Sequence, residues 1–328
     1  MVATRIPCLL AAVVAAVLLA ISAARAQDTD WPQRNIRLIV NTAAGGAADT
    51  TSRIVTQKLT ERLGWTIVIE NQAGASGRLG VQMIARAAPD GYTFGIVTAS
   101  SNAITAALGM DLPYKPVASF APVSLIGGSP YVLAVHPGTG INSLADLVAS
   151  AKAKPGQLNN GTFGLESVGG MASVWLESLA GVRFNSIPYR STAQAVVDVV
   201  SGRIDMQFGT LPPTLALIMD GRIRGIGVTG RNRAAVLPTV PTFIEQGYPN
   251  FEAVLWQGIA APAGTPAAII ARFNREMTAV LTMPEVRQSL LEQGFDAEPG
   301  PPEAMLARLK DDIERWRSVA IKAKLTQP

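Results

Sequence analysis

Between Ile36 and Ile54 the chain reads IRLIVNTAAGGAADTTSRI, an apolar run that enters a patch of small residues and then a helix-like segment from about Asp49. Ala43, Ala44, Gly45, Gly46 and Ala47 let a ligand approach the backbone, and the first N–H groups of a helix have no partner of their own. A strand that ends on small residues at a helix N-terminus is suited to hold an anion through its amides. A plain tight turn is the alternative reading of the same residues. Neither G-x-x-x-x-G-K-[ST] nor G-x-G-x-x-G is present in this stretch, so it is not a nucleotide loop, and no cofactor is expected.

Other chemistry is restricted by what the chain lacks. His136 is the only histidine, in a VLAVHPG context that reads as a strand end, and Cys8 is the only cysteine, inside an N-terminal apolar run. Without a second imidazole or a thiolate in the body of the chain, zinc sites and Ser-His or Cys-His catalysis are excluded. An enzyme would need two carboxylates, and Glu166 with Asp205 is the pair to nominate. The 28 Lys and Arg against 24 Asp and Glu give a formal charge of +4, too small for a nucleic-acid footprint.

The N-terminus reads as a secretory signal: Arg5, an apolar stretch from Cys8 to Ile21, and Ala24-Arg25-Ala26 as a cleavage site. That stretch is too short to span a bilayer comfortably. The expected mature chain begins near Gln27, loses Arg5 and Arg25 with residues 1–26, and is soluble outside the cytoplasm.

The elements that must position the loop alternate between short apolar runs and amphipathic segments. Strands are predicted at Ile36–Val40, Thr66–Glu70 and Tyr92–Thr98, with helices over about Asp49–Leu63 and Gly77–Ala88, a βαβαβ series implying a parallel sheet. Further on, Val123–Ile126 and Tyr131–Val135 read as two strands separated by Gly127-Gly128-Ser129-Pro130. Ser143 reads as the N-cap of a helix over Leu144–Ala153. More α/β units follow to Val228, then a strand at Ala253–Ile259 and a mostly helical tail. Proline-rich connections near 113–122 and 236–249 suggest a chain that leaves one lobe, builds a second and returns. The expected fold is α/β and two-lobed, each lobe a mostly parallel sheet with flanking helices, hinged by two crossings. Residues 27–124 with 241–328 form the first lobe and 125–240 the second.

WPQRNIRLIV, TAAGGAADT, ERLGWTIVIENQAGASGRLG, ARAAPDGYTF, IPYRSTAQAVVDVVSGRID, RGIGVTGRNRAAVLPTVPTFIEQGYP and WQGIAAPAGTP, in this order, resemble the Bug/TctC-type extracytoplasmic solute-binding receptors of tripartite tricarboxylate transporters. The resemblance implies a periplasmic-binding-protein-like fold closing on a small carboxylate-bearing ligand, with membrane transporter subunits as partners and a monomeric state. It implies that Ala43 to Ala47 hold one carboxylate through backbone amides, with Asp49 at the start of the following helix. It also points to Ser100 and Ser101 after a strand, to Tyr189 and Arg190 after another, and to Asp205 as an organiser of loops. Thr162 and Ser167 match positions around the second-lobe end of the ligand, where Phe163 and Thr210 stand in place of the family's usual residues.

The chain departs from the family pattern at Phe163, Leu165, Glu166 and Val168, which replace small polar residues. A cleft with fewer hydroxyls, an added aromatic and an extra acid suits a simple dicarboxylate poorly. The alternative is that Phe163 and Leu165 turn into the lobe core and Glu166 is solvated. A receptor for transport is the leading functional expectation; a sensor of the same ligands and a carboxylate-dependent enzyme are the alternatives.

Overall fold

The computed structural model describes residues 31–189 and 191–326. The leader read at residues 1–26 and the proposed ligand residue Arg190 lie outside them. Strand β1 (Ile36–Val40) is buried on both faces, with Ile36, Leu38, Ile39 and Val40 at most 1% exposed, which is why its sequence is a continuous apolar run rather than an alternation. It lies between β2 (Ile67–Asn71) and β3 (Thr93–Thr98), parallel to both. Helix α1 (Ala47–Leu63) joins β1 to β2 and stops at Gly64, which takes a left-handed φ of 69° and returns its N–H to the Thr60 carbonyl. Helix α2 (Arg78–Arg86) joins β2 to β3.

Strand β4 (Phe120–Val135) is one continuous strand of 16 residues, not the two separated strands expected from Gly127-Gly128-Ser129-Pro130. Its first part pairs antiparallel with β9 (Val254–Pro262), from Phe120 opposite Pro262 to Pro130 opposite Val254. Those long-range partners hold the Gly-Gly-Ser-Pro stretch extended. The glycines instead admit the short β10 (Asp296–Ala297): Gly127 has φ +153°, and a Cβ there would lie 1.9 Å from the Asp296 carbonyl oxygen. β9 also pairs antiparallel with β3, closing the first lobe.

From Tyr131 onward β4 belongs to the second lobe, flanked by β7 (Met206–Thr210) and β8 (Arg224–Val228). There β5 (Asn159–Thr162) runs parallel to both β7 and β6 (Asn185–Pro188). Around them lie α3 (Leu144–Ala153), α4 (Val168–Ala180), α5 (Thr192–Val200) and α6 (Leu211–Met219). Ser143 caps α3, its hydroxyl accepting the Asp146 N–H at 3.1 Å. Strand pairing of β4 thus passes from β9 to β7 and β8 between Pro130 and Tyr131, and β9 resumes at Val254.

Thr229 ties the two crossings together. Its hydroxyl accepts the Tyr131 N–H at 2.8 Å and donates to the Ala253 carbonyl at 2.5 Å, and its own carbonyl accepts the Ala253 N–H at 2.9 Å.

The tail returns to the first lobe as α7 (Ala267–Leu281), α8 (Pro284–Glu292) and α9 (Pro302–Lys322). Phe273 of α7 meets Phe94 edge-on at 4.5 Å within a core built on Trp31, Trp65 and β1. Helix α9 crosses behind the hinge, where Trp316 meets Trp175 of α4 edge-on at 5.9 Å and Trp175 stacks on Phe251 at 4.6 Å. This core runs from Val97 of the first lobe to Phe208 of the second. Both lobes are therefore buttressed from behind, and their open sides face each other at the carboxyl ends of the parallel strands.

Candidate interlobe ligand site

At the end of β1 the loop from Asn41 to Gly46 turns directly into α1. Gly46 is the N-cap and offers no side chain to the helix. The first intrahelical bond runs from Thr50 N–H to the Gly46 carbonyl, so the amides of Ala47, Ala48 and Asp49 precede the ladder. Gly46 N–H closes a turn on the Ala43 carbonyl at 3.0 Å, and Gly45 N–H donates to Asp49 Oδ2 at 2.9 Å. The loop residues thus have different duties: Gly45 and Gly46 spend their amides on the turn, and the helix start keeps its own.

Asp49 faces inward. It is 3% exposed, and its carboxylate also accepts Asn71 Nδ2 at 3.0 Å and pairs with Arg53 at 2.9 Å. Burial pushes its pKa up, but the bonds from Arg53, Gly45 and Asn71 outweigh that and hold the carboxyl below its usual range. Its side chain locks the loop to the end of β2.

After β3 the chain enters a π-helical turn at Ala99–Ile104. Ser101 is fully buried, its hydroxyl accepting the Thr98 N–H at 3.2 Å and Asn41 Nδ2 at 3.3 Å and donating to Asn102 Oδ1 at 2.8 Å. That hydroxyl is engaged in the capping box with Thr98. Ser100 takes no part in this web.

In the second lobe Ser167 likewise caps α4, accepting the Gly170 N–H at 3.0 Å and donating to the Gly164 carbonyl at 2.7 Å, so its role is also local. Thr162 Oγ1 lies 3.5 Å from the same carbonyl. Phe163 and Leu165 are each 38% exposed, so neither turns into the lobe core. Tyr189 donates its hydroxyl to Asp198 at 2.7 Å, and burial together with that carboxylate pushes the phenol up to about 12. It faces its own lobe.

Asp205 stands apart from the rest. It precedes β7, its carboxylate accepting the Asn159 N–H at 2.7 Å and its carbonyl the His136 N–H at 2.8 Å. Thr210 ends β7, and five residues of strand span roughly 17 Å. Asp205 therefore fastens the edge of the second lobe away from the cleft, and the nominated Glu166–Asp205 pair does not come together.

Thr210 and Ala47 do meet, lining one narrow cavity with Thr50, Thr51, Ser129 and Phe295. Here the first turn of α1, the crossing strand β4 and the end of β7 converge. Nearby, Thr51 donates to Gln257 Oε1 at 2.6 Å, while Gln257 Nε2, Asn41 Oδ1 and Thr42 Oγ1 are buried with no protein partner. Buried polar atoms of that kind call for water or ligand. Gln257 lay within the WQG stretch of the sequence, but nothing local pairs it with Thr51, which is 206 residues away.

Arg78 is a further residue that the sequence reading missed. It opens α2, and its guanidinium Nη2 lies 4.0 Å from Glu166 Oε1 on the facing lobe. Among the described residues no group of three or more His, Cys, Asp and Glu is placed to hold a metal ion, and no helix is long and apolar enough to cross a membrane.

Comparisons with known proteins agree with this architecture. Residues 51–325 match the family model described as the tripartite tricarboxylate transporter family receptor. Protein BugT of Bordetella pertussis is 33% identical over 304 residues, covering 91% of this chain and 92% of BugT. An R. palustris protein solved with adipate aligns with a TM-score of 0.85 at 32% identity, over 90% of this chain and 99% of that one. MatC from Rhodopseudomonas palustris with bound malate aligns with a TM-score of 0.81 at 29% identity, over 88% and 99%. The similarity runs through both lobes and both crossings, and the chain belongs to the tripartite tricarboxylate transporter receptor family.

Proposed function

We propose that this chain is a periplasmic receptor that captures a small carboxylate-bearing molecule between its lobes and presents it to the membrane subunits of a tripartite transporter. The observation that carries this reading is the open N-terminus of α1. Gly46 leaves it without a side-chain cap, the Asp49 carboxylate is engaged by Gly45, Asn71 and Arg53, and the helix start lines the same cavity as Thr210 of the other lobe. A carboxylate there accepts the amides of Ala47 and Ala48 and meets the positive end of the helix dipole. Ala43 and Ala44 shape the entrance, Ser100 supplies a hydroxyl at the end of β3, and Thr162 and Phe163 serve the far end. Relatives solved with adipate and malate support a small organic acid as the ligand class. The leader read at residues 1–26 supports export.

A thermal-shift screen of organic acids, amino acids, aromatic acids and amides tests the reading. A ligand at one hundred times its Kd stabilises the folded state by about 2.7 kcal/mol, which raises Tm by about 4 °C in a chain of this size. No shift from any of these classes at millimolar concentration sinks the proposal.

Closure follows from the same design. Thr229 and the paired strands β4 and β9 make two adjacent crossings, so the expected motion is a hinge that brings the lobes together around ligand. Small-angle scattering at saturating ligand should give a smaller radius of gyration than without it. An identical radius in both states rules out closure.

A further inference from the structure

We propose that Arg78 and Glu166 form a charge gate across the cleft, in which Glu166 stands in for the far carboxylate of a ligand and so selects molecules with one carboxylate and a neutral far end. This rests on the receptor reading above and adds to it the rule by which ligands are chosen.

The two residues come from opposite lobes. Arg78 follows four consecutive residues with positive φ, Gly74 at 136°, Ala75 at 48°, Ser76 at 53° and Gly77 at 90°. Ala75 and Ser76 are not glycines, and left-handed backbone at such residues is uncommon and costly. The loop uses that conformation to place Arg78 at the start of α2, where its Nε donates to the Ala75 carbonyl at 3.0 Å. Nε is thereby engaged, Nη1 lies 3.9 Å from Met110 Sδ of the same lobe, and Nη2 is left towards the facing lobe. Nη2 lies 4.0 Å from Glu166 Oε1, within ion-pair range but beyond a hydrogen bond. A guanidinium has five N–H donors in a planar fork that fits a carboxylate. Arg78 therefore has donors left for one, and Glu166 holds the position loosely.

Glu166 is positioned by its own loop. Gly164 takes φ +89°, and a Cβ there would lie 3.0 Å from Glu166 Oε2, so the carboxylate folds back over a residue without a side chain. Both partners are about a quarter exposed, with 24% for Arg78 and 23% for Glu166, so the pair is open to exchange with a ligand from the cleft. Phe163 and Leu165 stand beside Glu166 in the same loop and stay exposed, so apolar surface is available next to the pair. A ligand whose far end is apolar leaves the pair intact. A dicarboxylate must displace Glu166 from Arg78 or sit beside it and meet its charge.

Four proteins test this: wild type, Glu166→Gln, Arg78→Gln and the double variant, each checked for a cooperative melt. The probes are length-matched acids, succinate with butyrate and adipate with hexanoate, measured by calorimetry. Like-charge repulsion at a few ångströms in a partly wet cleft corresponds to about tenfold or more in affinity. Glu166→Gln is therefore expected to tighten the dicarboxylates about tenfold relative to their monocarboxylate partners. Arg78→Gln placed on top of it should remove the gain.

If the acids bind but Glu166→Gln shifts mono- and dicarboxylates equally, the gate is overturned and the receptor reading stands. If the gain survives in the double variant, Arg78 is not the site that Glu166 occupies, and the gate is overturned. If no acid binds to any of the four proteins, the receptor reading for small carboxylates fails and the gate falls with it. Glu166→Ser repeats the comparison without an amide that could itself donate to the ligand.

Discussion

Gly46→Val should cost at least a hundredfold in affinity for whichever acid the thermal-shift screen identifies, while the protein still folds. Folding survives because Gly46 has φ −74° and ψ 165°, extended backbone that valine adopts readily. The space is what valine cannot share. A Cβ at Gly46 would lie 3.0 Å from the Ala43 carbonyl oxygen and 3.1 Å from Thr42 Oγ1, so the turn must open by a few tenths of an ångström. The two γ-methyls then stand at the mouth of α1, over the amides that precede its hydrogen-bond ladder. A carboxylate needs those donors at about 2.7–2.9 Å. Each charge-assisted bond contributes about 1.5–3 kcal/mol, so losing two removes about 3–6 kcal/mol. Gly46→Ala, with one methyl and no branch, should retain most of the affinity. Calorimetry on folded Gly46→Val that returns the wild-type Kd would mean that the carboxylate is held elsewhere, and the loop would then be only a turn.

This loop was legible in the sequence because everything it needs is local. A doubly buried strand announces itself as an apolar run, small residues announce the approach, and a helix follows within seven residues of the strand end. The order of strands and helices was legible for the same reason. Strand β4 was not. Gly127 to Pro130 have the composition of a turn, and only β9 and β10, more than a hundred residues away, make them the middle of a strand. The site suffered from a second kind of blindness. Ser101, Ser167 and Tyr189 have hydroxyls that suit a ligand or a cap, and only the fold shows that Thr98, Gly170 and Asp198 are their partners here. Asp205 and Thr210 differ by five positions in the sequence, but on a strand that distance separates the two ends of a lobe. Arg78 gained its meaning only from Glu166 on the opposite wall, a pairing set by how the lobes meet.

Asp312→Ala should destabilise the protein by about 3–5 kcal/mol, the range for removing one partner of a buried ionic cluster, and lower Tm by about 5–8 °C. Asp312 lies on the buried face of α9 at 1% exposure, where it accepts the Trp256 indole N–H at 2.6 Å and pairs with Arg315 at 3.4 Å. Arg308 reaches both Asp312 at 3.9 Å and Glu252 at 3.8 Å, and Arg315 donates to the Glu252 carbonyl at 3.3 Å. Trp256 belongs to β9 and Glu252 to the chain returning from the second lobe, so this cluster fastens α9 behind the hinge. Alanine leaves the indole without its acceptor and the two guanidinium groups with Glu252 alone. Asp312→Asn keeps an acceptor for the indole and should cost much less.

The pH dependence separates charge from hydrogen bonding. Burial pushes the Asp312 carboxyl above its usual range, more than Arg315, Arg308 and Trp256 pull it down. A carboxyl whose pKa is raised by folding binds its proton more tightly in the folded state. Its contribution is therefore fully present below the unfolded value, near 3.9, and declines as pH rises towards the raised value. The gap between wild type and Asp312→Asn should be widest at low pH and shrink across that window, as read from urea melts at successive pH values. A gap that widens with pH would mean that the arginines hold the carboxylate ionised against its burial. The hinge would then be fastened by an ion pair, with a stability that falls as acid protonates it.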